Sequence, residues 1–151
     1  MKKYQTEIDK LQEIHNKVKS LIDQYSPEKR ELLIFDKWSL KDVVAHLSAW
    51  MEDDLKALDN LMEGKKSYWE PDVEEFNERG VESRKRKLWE EIYFEFTSLI
   101  DKLIDLYRNL PVELQNKKVW QDREETAMKF LEEDINHWEE EHIPSLESNL
   151  K

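Results

Sequence analysis

The sequence predicts an all-α protein: a four-helix bundle with a short extra crossover helix, in a single domain over residues 1–151. The chain contains only 2 Gly and 4 Pro, whereas β and α/β proteins of this size need many turns rich in these residues. Apolar residues recur three and four positions apart in four long segments, which is the period of a helix face. Charged residues make up 39% of the chain, and their signs are mixed, which suits solvated helix faces.

The composition excludes several functional classes. With 24 Lys and Arg against 35 Asp and Glu, the net charge is −11. Such a surface repels phosphate backbones and anionic lipid headgroups. The chain has no Cys, which excludes disulfides, thiol nucleophiles and Cys-type zinc sites. No apolar stretch approaches the roughly 18 residues of a membrane span. We expect a soluble, cytoplasmic protein that binds neither nucleic acid nor membranes.

The first two helices have clear sequence boundaries. Residues 4–25 carry a continuous apolar face, and the Pro27 that follows ends this helix because the residue before a proline avoids the α region. The second helix begins after Trp38. Ser39 is its predicted N-cap, Asp42 completes a capping box, and Gly64 is its natural stop.

The second half of the chain predicts two more long helices and the crossover helix. Pro71 is expected as the first helical residue of a short helix over 72–83, and the basic run at 84–87 is interpreted as a solvated turn. A heptad-like apolar repeat predicts a helix from Leu88 to Leu110, followed by an irregular polar segment over 112–123. The fourth helix starts near Glu124, and Pro144 is expected to kink or end it.

Five polar residues occupy positions on these apolar faces, where a bundle expects apolar side chains: His15, His46, Asp54, Asp134 and His142. Asp134, Trp138 and His142 lie four residues apart and span only about 80° of the fourth helix. Trp50 and Asp54 are likewise stacked on the second helix. If helices two and four meet, two imidazoles and two carboxylates converge on one polar cavity between two indoles.

Each of these residues also has a purely structural interpretation. His15 suits a core histidine that is hydrogen-bonded to the backbone or to a tyrosine. Asp54 suits the rim of the apolar stripe, paired with a lysine, and Asp134 suits local pairing on its own helix. Trp50 and Trp138 suit ordinary core packing. Both interpretations stay open at this point.

Residues 38–50, read as WSLKDVVAHLSAW, resemble the second-helix signature of the DinB/YfiT-like superfamily, and within it the ClbS/DfsB family. The resemblance continues through residues 72–77, 110–111 and 134–144, and so covers nearly the whole chain in the same order. It implies an up-down-down-up four-helix bundle that is often a homodimer. It also implies a His on helix two and an H-x-x-x-H pair on the last helix, which in many members bind zinc or nickel.

Only part of that ligand set carries over to this chain. His46 matches the second-helix His and His142 matches the second His of the pair, but the position four before His142 is Trp138. His137 precedes His142 by five residues, about 140° away on a regular helix, and reaches the site only through a helix distortion. Asp54, Asp134 and His15 are then the candidates for a substitute ligand.

These observations support three hypotheses. The first is a ClbS/DfsB-like, metal-independent hydrolase of a reactive electrophile that lies between Trp50 and Trp138. There His46 or His142 acts as general base, oriented by Asp54 or Asp134, and His15 contributes to the pocket. Its variant is a divalent-metal-dependent thiol transferase or hydrolase that uses His46, His142 and one Asp. The second is a non-catalytic small-molecule-binding module, and the third is a structural bundle. We expect no cofactor, with zinc or nickel as the alternative.

Overall fold

The computed structural model describes residues 4–69 and 72–150. This part of the chain is all-helical, as predicted, and its extended pairing is limited to two isolated bridges. The elements in chain order are α1 (Gln5–Asp23), a 3₁₀ turn (Pro27–Lys29), α2 (Leu40–Met62), α3 (Val73–Glu82), α4 (Trp89–Arg108), α5 (Val112–Gln115), α6 (Ala127–His137), a π-helical turn (Trp138–His142) and α7 (Ile143–Asn149).

The boundaries of α2 follow the sequence prediction. The Ser39 hydroxyl accepts the Asp42 backbone N–H at 3.1 Å, and the Asp42 carboxylate accepts the Ser39 backbone N–H at 3.1 Å. This is the predicted capping box, and it fixes where the helix starts. At the other end Gly64 takes a φ of +74°, which is a conformation that glycine adopts without steric cost.

The crossover helix α3 begins at Val73, with Asp72 as its N-cap; the predicted role of Pro71 lies outside the described residues. α3 packs on α2 at very close range, because a Cβ on Gly80 would lie 2.6 Å from the Ala49 Cβ. This contact requires glycine and holds α3 in place over one side of α2.

The basic run that follows α3 is not wholly solvated, and the prediction of a solvated turn is wrong for Arg84. The Arg84 side chain is buried and donates to the Glu95 carboxylate at 2.8 and 3.1 Å. It also lies 3.6 Å from the Glu52 carboxylate. A bidentate carboxylate partner makes the burial of a guanidinium tolerable, so Arg84 joins the end of α3 to α2 and α4.

The helices pack around one core, but α2 and α6 lie apart from each other. α2 packs on α3 and α4, α1 packs on α4, α6 and α7, and α2 and α6 do not pack closely within the described residues. The largest fully buried side chains come from all parts of the chain and include Trp120, Tyr107, Phe96, Leu11, Ile22 and Leu40. The separation of α2 from α6 leaves space for a cavity between them.

The last long helix is interrupted, as the position of Pro144 predicted. The interruption is a π-helical turn over Trp138–His142, after which α7 continues with Pro144 in its first turn. Proline has no N–H to donate and clashes with the carbonyl four residues earlier, and a wider turn removes both conflicts. The segment expected to be irregular contains the short helix α5. Among the described helices, none is long and apolar enough to cross a membrane.

Candidate functional site: a cavity between the second and last long helices

A cavity of about 560 Å³ lies between α2 and the α6–π-turn segment, with α3 and the loop before it closing one side. This volume is within the range of about 300–1,000 Å³ that is typical of small-molecule sites. Its lining includes six residues singled out from the sequence: His46, Trp50, Asp54, Asp134, Trp138 and His142. His137 and Glu141 also line it.

The two helices that frame the cavity run in opposite directions. The first polar residue of one therefore lies opposite the last polar residue of the other. The His46 and His142 rings have centroids 5.9 Å apart. Asp54 lies two turns further along α2, and its charge interacts with that of Asp134 on α6. On α2 the eight residues from His46 to Asp54 span about 12 Å. The cavity therefore has a histidine end and a carboxyl end.

The histidine end contains a third imidazole, which the π-turn brings into place. In a π-turn, residues five apart stack as residues four apart do in an α-helix. His137 and His142 are five apart across this turn, and their ring centroids are 4.7 Å apart. The helix distortion that the sequence required for His137 to reach the site is therefore present, and His46, His137 and His142 form one cluster.

The three imidazoles differ in their surroundings. Burial first, and then the neighbouring imidazoles, lower the pKa of His46 to about 4 and that of His142 to about 3. Both rings are therefore neutral at pH 7. The His137 Nδ1 lies 2.8 Å from the Glu141 carboxylate. The His46 Nδ1 is buried and has no hydrogen-bond partner.

The carboxyl end consists of two desolvated carboxyl groups, those of Asp54 and Asp134, near the buried hydroxyl of Tyr107. Asp54 is only 4% exposed, and its Oδ1 is buried without a hydrogen-bond partner. Burial first, and then the charge of Asp134, raise the pKa of Asp54 well above its usual range. Burial also raises the pKa of Asp134, against a hydrogen bond from Trp138. The Tyr107 hydroxyl is buried without a hydrogen-bond partner, and burial first, then the charges of Asp134 and Asp54, raise its pKa.

Within the described residues, no hydrogen bond joins Asp54 or Asp134 to an imidazole. The sequence-based hypothesis gave these aspartates the role of orienting His46 or His142. The structure instead separates Asp54 from His46 by two turns of α2, and Asp134 lies eight residues before His142 on the last long helix. The carboxylate that contacts a cavity imidazole is Glu141.

Aromatic rings form the wall between the two ends. Trp50 stacks on Trp69 with centroids 5.4 Å apart, and the Trp50 indole N–H donates to the Asn77 side chain on α3. Trp69, Asn77 and Phe130 line the cavity but were not predicted from the sequence. Trp69 lies in the loop after α2, where no periodicity assigns a side chain to a face. Its backbone N–H donates to Asp122, and its ring also packs against Trp120.

His15 does not line the cavity, although the sequence suggested it as a pocket residue. It is fully buried in the core, and its ring packs against the outer side of Trp138 with centroids 4.8 Å apart. Neither ring nitrogen has a hydrogen-bond partner, so the expected bond to the backbone or to a tyrosine is absent too. Its seam position on α1 faces the helix that carries Trp138, and that large indole separates it from the cavity.

The chemistry of the histidine end suits a divalent transition metal. Metal ligation needs neutral imidazoles, and burial already holds His46 and His142 in that form. A metal-ligating His commonly donates its other N–H to a carboxylate, which is the arrangement of His137 with Glu141. No three His, Asp or Glu side chains in the described residues have donor atoms already set for a common ion, so ligation requires these side chains to rotate.

Comparison with known proteins gives no match. No family model matches the chain, and neither the curated proteins nor the solved structures compared with it include a match. The function is therefore argued from the cavity and its residues.

Proposed function

We propose that this chain is a DinB-like four-helix bundle, related to the ClbS/DfsB family, that binds a small electrophilic molecule in the cavity between α2 and α6. In this proposal His46, His137 and His142 hold a divalent metal ion, zinc or nickel, and the protein is a hydrolase or thiol transferase. The observation that carries the proposal is the π-turn. It brings His137 and His142 to one side of the last helix, opposite His46 on α2.

The π-turn also explains the departure from the family pattern in the sequence. The family has H-x-x-x-H on its last helix, whereas this chain has one more residue between His137 and His142. A π-turn accommodates one additional residue without rotating the helix that follows it. In this proposal the pair His137 and His142 corresponds to the family pair, and Trp138 does not replace a ligand.

When bound, the metal would supply Lewis acidity that lowers the pKa of a water or thiol nucleophile. The protein's own residues supply the rest of the site. Glu141 orients His137 through its Nδ1, and Asn77 fixes the Trp50 ring. Trp50, Trp69 and Trp138 exclude water and hold the apolar part of the substrate. Three protein ligands leave a position open, which is typical of catalytic sites.

The first test is metal binding by apo protein. We expect one equivalent of Co²⁺, Ni²⁺ or Zn²⁺ to bind, measured by calorimetry and by the visible absorption of Co²⁺. Loss of an outer-shell partner typically costs about 10–100-fold in metal affinity, so His46→Ala, His137→Ala and His142→Ala should each cost about 100-fold or more.

The matched control is Glu140→Ala, an exposed position inside the same π-turn, which should bind as wild type does. The discriminating variant is His137→Ala. Unchanged affinity in this variant would contradict the three-imidazole site, and no binding by the wild type would overturn metal dependence altogether.

A second candidate is metal-independent hydrolysis in the same cavity. His46 and His142 are neutral, so each keeps a lone pair that can accept a proton from water. Their low pKa values make them weak bases, which is why this candidate ranks second. Turnover of strained or activated electrophiles in the presence of EDTA, lost in His46→Gln or His142→Gln, would establish this candidate instead. Ligand binding without turnover would leave a non-catalytic binding module.

A further inference from the structure

The carboxyl end of the cavity plays no part in holding a metal at the histidine end, about 12 Å away along α2. Apart from the imidazoles, the titratable side chains that line the cavity are nevertheless all acidic: Asp54, Glu133, Asp134 and Glu141. Neither Lys nor Arg is among the lining residues of the described chain. Glu141 is paired with His137, which leaves Asp54 and Asp134 at the carboxyl end with no cationic partner.

From this arrangement we propose that the cavity recognises a substrate with a protonated amine, bound between Asp54 and Asp134, and an apolar body against the tryptophans. This inference rests on the proposed function, since it adds the substrate class to that same site. The amine and the reacting centre would then lie at opposite ends of the molecule, separated by a spacer of the length of the tryptophan wall.

The first support is the unsatisfied state of Asp54. A buried carboxyl oxygen without a partner is costly, and proteins retain such groups chiefly where they serve function. The Asp54 Oδ1 is such an atom, in a side chain that is 4% exposed and lines the cavity. An ammonium group carries three donors, enough to satisfy this oxygen and the Asp134 carboxylate.

The second support is the aromatic wall. Trp50, Trp69, Phe130 and Trp138 line the same cavity, and the faces of such rings attract organic cations. Trp69 already shows this property on another side, where the Arg123 guanidinium lies 4.3 Å from the ring centroid. That Arg123 is paired with Glu125 and is not among the lining residues, so it does not neutralise the cavity.

An inorganic cation fits this end less well. Ca²⁺ requires six to eight oxygen ligands, and Mg²⁺ requires an octahedral set that is completed by several waters. Asp54 and Asp134 offer two carboxylates in a space bounded by indoles. Organic ammonium groups need fewer oxygens and use the ring faces as well.

The experiment compares three ligands of similar shape that differ in the charge of one terminal group. Calorimetry with 4-phenylbutylamine, 4-phenylbutanol and 4-phenylbutyrate is performed on apo protein in EDTA at pH 7, so that metal plays no part. We expect the amine to bind about tenfold or more tightly than the alcohol, and the carboxylate not to bind detectably. Asp54→Asn and Asp134→Asn should each remove most of the preference for the amine and leave the affinity for the alcohol unchanged.

The matched control is Asp59→Asn, an exposed aspartate further along α2, which should retain the full preference. Thermal melts of all three variants confirm that they are folded. Equal binding of amine and alcohol, a preference that survives in both Asp54→Asn and Asp134→Asn, or no binding of the amine by the wild type would each overturn the proposal. Metal titration without amine and amine titration without metal are separate measurements, so the two proposals fail independently.

Discussion

His15 is a single buried titratable side chain that makes the free energy of unfolding depend on pH. Burial, and to a lesser degree the nearby Lys19 charge, lower the pKa of His15 to about 3. In the unfolded chain the same imidazole titrates near its model value of 6.5. Below pH 6.5 the unfolded state therefore binds a proton that the folded state does not, and stability falls as the pH falls.

Substitution of His15 by leucine should remove this pH dependence. Between pH 6.5 and pH 5 the linkage amounts to about 2 kcal/mol of unfolding free energy, at about 1.4 kcal/mol per pH unit. We expect urea unfolding at pH 7.5 and pH 5 to show that the wild type loses about 2 kcal/mol more than His15→Leu does. Asn16→Ala, exposed on the same helix, should lose as much as the wild type. Parallel losses in wild type and His15→Leu would contradict this account.

At the scale of elements, the π-turn determines the composition of the histidine end. On a regular α-helix, His137 would lie about 140° from His142 and outside the cavity. With the π-turn, both imidazoles line it, while the buried residues on either side, Ile135 and Leu146, stay on the core face. One additional residue is absorbed locally within the turn.

Deletion of Glu140 should convert the π-turn into a regular α-helical turn. His137 and His142 would then be four residues apart and remain on one face, so we expect metal affinity within about threefold of wild type, by calorimetry. Deletion of Glu132, in the regular part of α6, is the matched control. It rotates everything after it by about 100° and should abolish metal binding. A Glu140 deletion as damaging as His137→Ala would show that the turn has another role.

At the scale of the whole molecule, charge and shape act together. The net charge of −11 surrounds a cavity that is itself lined by acidic side chains and no basic ones among the described residues. Clefts lined by one sign of charge focus the electrostatic field and raise the local concentration of oppositely charged ligands. The net charge and the acidic lining therefore both favour an organic cation as the ligand.

Salt should weaken the binding of a cation and leave that of a neutral ligand unchanged. We expect the Kd of 4-phenylbutylamine to rise about threefold or more between low salt and 0.5 M NaCl, because the Debye length falls to a few ångströms. The Kd of 4-phenylbutanol should change far less over the same range. Identical salt dependence for the two ligands would mean that the acidic lining does not contribute to recognition.

The sequence alone determined the helical class and most of the helix boundaries. The scarcity of Gly and Pro indicated the helical class. The capping box at Ser39 and Asp42 and the stop at Gly64 are local features that act within a few residues. Periodicity also determined which candidate site residues share a helix face: Trp50 with Asp54, and Asp134 with Trp138. These predictions succeeded because helix geometry is a property of the chain itself.

Only the tertiary structure decided which residues meet across the cavity. Local patterns could not show that the Trp69 side chain, in the loop after α2, would stack on Trp50. Nor could they show that Trp138 would separate His15 from the cavity. They could not show that the last helix would contain a π-turn, which the structure has immediately before Ile143 and Pro144. Side-chain convergence depends on the packing of distant elements, and that packing decides the chemistry of this site.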